Sequence, residues 1–459
     1  MTAEVMAQEE TQTAEVVAAS EPHKVEKVVE DVAPKESVEE PKPKTVEKSS
    51  SYKEESNFLS DLKEFERKAL NEFKSKIEEA IFGNNLFEKE EPKKKEVEES
   101  ENVEVKEDEE KKVEVEKDVS LWGVPLLPSK GAEGNDVVLL KFLRAREFKI
   151  NDAFEMLKKT LNWRKESKID SVLDEDFGSD LASAAYMSGV DHEGHPVCYN
   201  IFGAFESEEL YQKTFGNEEK RSEFLRWRCQ LMEKGIQKLN LKPGGVSSLL
   251  QINDLKNSPG PSKKELRIAT KQTVAMLQDN YPEMVAKNIF INVPFWYYAL
   301  NALLSPFLTQ RTKSKIVVAR PNKVTETLNK YIPIEEIPVH YGGFKRENDS
   351  DFSAQDGAVS ELILKAGSTA TIEIPALEVG KALCWDLTVL GWEVSYKEEF
   401  VPTDEGSYTV IVQNGKKMGS QEGPIRNTFR NNESGKVVLT IENTSNKKKR
   451  VQYRYKSSF

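Results

Sequence analysis

The sequence predicts a multidomain chain: a disordered acidic N-terminal arm, an α/β domain entered through a small helical unit, and a C-terminal all-β sandwich. Three observations predict it. Charge is segregated: residues 1–118 hold 20 Lys/Arg against 35 Asp/Glu, a net −15, and since the whole chain carries −12 the remainder is +3. Between about residues 135 and 345, stretches with helical and strand periodicity alternate. Beyond residue 352, strand-like runs follow one another with only Gly, Asn and Ser turns between them.

The arm comes first. Segments such as "EEPKPKTVEKSSS" and "EVEESENVEVKEDEEKKVEVEKD" are rich in Glu, Lys, Val and Pro and poor in aromatics. They cannot bury enough apolar surface to offset the entropy of ordering. One island differs. In residues 56–82, Phe58, Leu62, Phe65, Ala69, Phe73, Ile77 and Ile81 recur at three- to four-residue steps, which predicts an amphipathic helix. Its apolar face has three possible destinations: a partner, a membrane or this chain itself.

Folded structure is expected from residue 119. "NDVVLLKFLRAREF" and "INDAFEMLKKTLNWRKES" read as two helices of a unit over 119–170, with Asn135 and Asn151 as N-caps. The α/β lobe is placed at 171–346. It reads as strand "PVCYNIFG", a helix over 218–240, strand "GVSSLLQIND", a helix over 262–280, strands "NIFINV" and "SKIVVAR", and a short helix "NKVTETLNKY". The sandwich is placed at 352–459.

Residues 288–310 carry no charge and are long enough to cross a bilayer as one helix. Pro294 and Pro306 argue against that, since each removes a helical hydrogen bond. The run divides into a buried strand, a turn at Val293 and Pro294, and an apolar helix of about three turns, or roughly 15–18 Å. Its large side chains point all round the axis, so the helix is either buried or covers something apolar. As a lid that swings into a bilayer, it would contribute about 1.5–3 kcal/mol per large side chain transferred.

Four ordered motifs carry a family resemblance. "VVLLKFLRAREFKINDAFEMLKKTLNWRKE", "LLQINDLKN", "LQDNYPEMVAKNIFINVPFWYYALNALLSPFLTQRTKSKIVV" and "IPIEEIPVHYGGF" resemble a CRAL-TRIO lipid-binding domain over about 135–345. "GWEVSYKEEFVP" and the final strand resemble a GOLD domain. Acidic arm, CRAL-TRIO and GOLD in that order resemble the patellins, plant phosphoinositide-binding proteins linked to vesicle trafficking and cell-plate formation during cytokinesis. The resemblance implies a bound phospholipid as ligand, with no other cofactor and no enzymatic activity. It implies a gate helix bearing Phe295, Trp296, Leu300, Leu303, Leu304 and Phe307. It also implies headgroup contacts from Glu283 of "YPE", Lys315 of "SKI", Arg146 of "RAR" and Gln251. A carboxylate accepts from inositol hydroxyls, and an ammonium pairs with phosphate. The match is partial: Met284 stands where phosphatidylinositol transporters carry Arg. Leu249 and Gln251 stand where they carry hydroxyls, and Ser247 and Ser248 are out of register.

Lys447, Lys448, Lys449 and Arg450 form a basic turn suited to an anionic membrane surface. Past it, Val451, Tyr453 and Tyr455 alternate with polar residues, as in a half-buried strand. Like-charge repulsion predicts that removing 1–118 strengthens binding to anionic vesicles, most visibly at low salt.

Three widely spaced cysteines suit a reducing cytosol. The N-terminus has no signal-peptide pattern, so the expected location is cytoplasmic and peripheral, at the plasma membrane or cell plate. No metal-ligand spacing, phosphate loop or Ser elbow occurs, and "DHEGHP" reads as a turn. Nucleic acid is not an expected partner. Trafficking or cytokinesis proteins are, through the sandwich and the arm. Two rivals to a lipid carrier stand: an adaptor with a merely structural pocket, and a carrier of a neutral hydrophobe.

Overall fold

The structure is a computed structural model. It describes residues 54–87, 118–259, 263–294, 297, 314–353, 356, 358–419 and 422–458, all within one compact unit. The disorder expected for residues 1–53 and 88–117 lies outside the described residues.

The island in the arm is a helix, α1 (Glu64–Phe82), and its apolar face packs on this chain. Leu70, Phe73 and Ile77 are fully buried against α2 (Asn135–Ala145) and α3 (Ile150–Glu166). Lys74 pairs with Asp136 across the seam. Phe58 and Phe65 stay about half exposed, outside the buried stripe. The helical unit therefore draws on a segment that charge alone had assigned to the arm. A short hairpin of β1 (Ser120–Leu121) and β2 (Val124–Pro125) closes the unit.

Neither predicted N-cap serves as one. Gly134 caps α2, while Asn135 lies inside the helix and donates to the carbonyls of Pro125 and Leu126 on the hairpin. Asn151 is inside α3, whose cap is Lys149.

The lobe is a five-stranded sheet ordered β3-β4-β5-β6-β7. Its strands are β3 (Ala185–Val190), β4 (Pro196–Ile201), β5 (Leu249–Asp254), β6 (Val285–Ile291) and β7 (Ile316–Val318). β3, which the sequence reading omitted, runs antiparallel to β4; the other pairs are parallel. Strand alternation sorts the two faces. Val197, Tyr199, Leu250, Ile252, Ile289 and Ile291 point into a core with α7 (Val324–Leu328) and Phe344. On the opposite face α4 (Glu208–Phe215), α5 (Glu218–Ile236) and α6 (Lys264–Asn280) cover the sheet. "HYGGF" ends the lobe in a tight return. Gly342 sits at φ 87°, and a Cβ on Gly343 would lie 2.2 Å from the Ile337 carbonyl oxygen, so both positions require glycine.

The C-terminal region is two four-stranded antiparallel sheets, ordered β13-β10-β15-β8 and β12-β11-β14-β9. In chain order the strands are β8 (Ser360–Leu364), β9 (Thr369–Ala376), β10 (Ala382–Leu390), β11 (Val394–Pro402), β12 (Val410–Met418), β13 (Ile425–Arg430), β14 (Gly435–Glu442) and β15 (Lys449–Ser458). Trp385, Tyr396, Phe400, Val437 and Leu439 fill the space between them.

β15 departs from the predicted half-buried pattern. Val451 is buried, but so are Gln452 and Arg454, while Tyr455 is exposed. The second face of this central strand meets the α/β lobe. Asn329 donates to Gln452, and Arg454 donates to Asp386. Asp386 is fully buried and also accepts from Arg346 and Arg426. Asp349, in the connection between the two regions, pairs with Arg426 as well. Two carboxylates and three guanidiniums thus lock the sandwich to the lobe.

Candidate functional site

Between the sheet and helices α5 and α6 lies a cavity of about 340 Å³. Its walls are chiefly apolar: Phe205, Phe224, Trp227, Leu266, Leu277 and Phe290. Its floor is polar. Asn200, Gln251, Asn253 and Asn288 point upward from the sheet face that faces those helices, together with Ile316. A covered sheet face would ordinarily be apolar, so four amides on it make this the candidate ligand surface. Gln251, singled out in the sequence as a headgroup contact, is one of these four. Of the predicted gate, Phe295, Trp296, Leu300, Leu303, Leu304 and Phe307 lie outside the described residues; Tyr297 is described, and its ring packs 5.5 Å from that of Phe290.

Glu283 and Lys315 meet as a salt bridge of 2.7 Å, and both side chains are largely buried. They sit at the edge where β5, β6 and β7 begin, beside the cavity rather than in its lining. Glu283 has φ 52°, a left-handed conformation that disfavours any side chain. Two lysines hold it there. Lys315 Nζ donates to its carboxylate and to the Val285 carbonyl at 3.1 Å, and Lys141 Nζ donates to its backbone carbonyl at 2.8 Å. Lys141 lies on α2 and is buried; that burial lowers its pKa to about 8 against the pull of Glu54 and Glu283. The sequence had pointed to Arg146 as the basic residue from this helix. Arg146 donates to the neighbouring Ala145 carbonyl, and no described contact brings it to Glu283 or Lys315. The helical step from 146 to 141 spans more than one turn, so the "RAR" motif marked the helix without marking its inward face.

Ser247 and Ser248 are buried and face the start of the described chain. Ser248 Oγ donates to Glu54 at 2.7 Å, and Asn57 donates to Ser247 Oγ at 3.3 Å. Arg144 clamps the same segment through Asn57, the Ser56 carbonyl and Glu55. His195 lies between Asp191 at 2.8 Å and Glu54 at 3.0 Å. Burial opposes its charge, but these two carboxylates raise its pKa to about 9. "DHEGHP" is the expected turn: Asp191 accepts from the backbone of Glu193 and of His195. Nothing in the sequence signals the role of Glu54, because the contact spans 141 residues.

Three family models match the chain. They are a CRAL/TRIO N-terminal domain over residues 69–159, a CRAL/TRIO domain over 182–343, and a Patellin-1-like C-terminal GOLD domain over 365–449. Patellin-4 of Arabidopsis thaliana is 55% identical across 100% of this chain and 99% of its own length. The chain belongs to the patellin family. Patellin-3 of the same plant is 46% identical over 94% of this chain and 82% of its own. Phosphatidylinositol transfer protein SFH5 of Scheffersomyces stipitis is 31% identical over 53% of this chain and 75% of its own.

The patellin sandwich carries the basic turn, which the structure divides. Lys447 and Lys448 are exposed. Lys449 is buried and donates to the Gly391 carbonyl and to Glu393, so it offers no charge to a surface. Arg450 is exposed and pairs with Glu361 at 3.4 Å. No helix among the described residues is long and apolar enough to cross a membrane, and no described His, Cys, Asp and Glu cluster forms a metal site.

Proposed function

We propose that this protein is a non-enzymatic carrier or sensor of phospholipids, phosphoinositides in particular, acting at membranes in vesicle trafficking and cell-plate formation. The observation that carries the reading is the apolar cavity with an amide-bearing floor, flanked by the Glu283–Lys315 pair. Lipid chains lie against Phe205, Phe224 and Leu266 in this reading, and a phosphorylated inositol displaces Glu283 from Lys315. The relation to a protein named for phosphatidylinositol transfer supports it. The apolar run 295–308 serves as gate, Lys447 and Lys448 meet anionic lipid, and the sandwich and arm select protein partners. The protein works in the cytoplasm as a peripheral membrane component. The test is transfer of phosphatidylinositol between vesicles by the full chain. Lys315→Ala is expected to lower the rate about tenfold or more, the worth of one charged hydrogen bond. Transfer equal to wild type refutes the headgroup assignment.

A further inference from the structure

Arg228 has no carboxylate partner among the described residues. It lies on α5, partly buried, and is one of the residues that line the cavity. Its Nη1 donates to Asn200 Oδ1 at 2.8 Å, and its guanidinium lies 5.6 Å from the Trp227 ring centre. Nε is buried and has no acceptor. The titratable groups that act on its charge are the thiols of Cys198 and Cys229, which burial keeps protonated, pushed up to about 11 and 12. An enclosed guanidinium without a counter-charge is costly unless an anion completes it. Arginine also presents its donors as a planar fork that matches phosphate or carboxylate.

We propose that Arg228 is an internal anion anchor: the cavity receives an acidic lipid whose phosphate or carboxylate is bound by the Arg228 fork beside Asn200 and Asn253. This rests on reading the cavity as a lipid cavity, and it adds a second polar pole. Asn253 follows Leu249 by four residues on β5, and Leu249 pairs with Val285 beside Glu283. At about 3.3 Å per residue, the Arg228 pole lies about 13 Å further along the sheet than the Glu283–Lys315 pole. The two poles therefore serve different groups, or the same group in two positions.

The experiment loads the full chain, in separate arms, from phosphatidylcholine vesicles doped with phosphatidic acid and from similar vesicles doped with oleate. The protein is re-isolated and its retained lipid identified by mass spectrometry. Wild type is expected to enrich one acidic lipid over phosphatidylcholine, and the arm that enriches tells phosphate from carboxylate. Arg228→Gln is expected to lower that enrichment about tenfold or more. Arg228→Lys keeps the charge without the fork and is expected to fall between wild type and Arg228→Gln, which separates loss of the anion from loss of the fold. Lipid-free Arg228→Met is expected to melt no lower than wild type, since a buried lone charge does not stabilise. Unchanged enrichment in Arg228→Gln, or a large drop in melting temperature for Arg228→Met, overturns the anchor and leaves the carrier reading standing. Wild type that retains no lipid in any arm overturns both.

Discussion

Glu283 is held from two sides in a backbone conformation that costs about 1–3 kcal/mol, and Lys315 and Lys141 supply the holding. Removing Lys141 would free the turn as well as the charge, so Lys141→Met is expected to reduce transfer even though Lys141 reaches only a carbonyl. A kinetic comparison with Lys315→Ala checks this, and equal rates for Lys141→Met and wild type would show that the turn holds itself. His195 gives a second residue-scale prediction. Its pKa rises from 6.5 to about 9 on folding, so its contribution is complete below 6.5 and is lost as pH rises through 9. The Glu54 carboxyl is pulled down: burial opposes this, but the His195 and Ser248 hydrogen bonds win. Its contribution is present above 4.5 and is lost as pH falls below that. The melting temperature of Glu54→Gln should therefore lie below that of wild type near pH 6, with the gap closing above about pH 9. Of these residues Glu283 and Lys315 were singled out in the sequence only through the family resemblance of "YPE" and "SKI", and the structure brings the two together. Lys141, Glu54 and Arg228 were not legible, because each acts on something more than 25 residues away or on an enclosed space.

Helix α1 shows what periodicity reveals and what it leaves open. The spacing of Ala69, Phe73, Ile77 and Ile81 identified the buried stripe, but a stripe does not name its cover. Phe73 is fully buried among α2 and α3, so Phe73→Ala is expected to cost about 3–5 kcal/mol, readable as a lower urea midpoint. A loss below 1 kcal/mol would mean that α1 docks loosely. β15 misled for the converse reason. Its alternation of Val451, Tyr453 and Tyr455 with polar residues imitates a strand with one wet face. Both faces are covered from Val451 to Arg454, and the charge of Arg454 is met by Asp386 instead of water. Charge patterning identifies solvent only where no buried counter-charge waits.

At the scale of the molecule, α1 changes what a test of the acidic arm must remove. Cutting at 118 would strip α1 and Glu54 and unfold the helical unit, whereas removing 1–53 leaves both. The shorter truncation is expected to strengthen binding to anionic vesicles at low salt and to leave it unchanged at high salt. Sedimentation of the two forms with vesicles reads this out directly. The junction around Asp386 makes a larger claim. Asp386→Ala leaves Arg346, Arg426 and Arg454 short of their shared partner and is expected to cost about 3–5 kcal/mol. Calorimetry should then resolve two transitions where wild type shows one. The domain order was legible in composition and motifs, but this junction was not, since its members are scattered from residue 346 to 454 and look like ordinary surface charge. A lobe that cannot swivel against its sandwich has a fixed bearing. Any protein that grips the sandwich thereby aims the cavity mouth, and sets the angle at which it meets a bilayer. On the proposed carrier reading, encounter with lipid then depends on the geometry of approach, and a partner would hasten or stall uptake without touching the cavity.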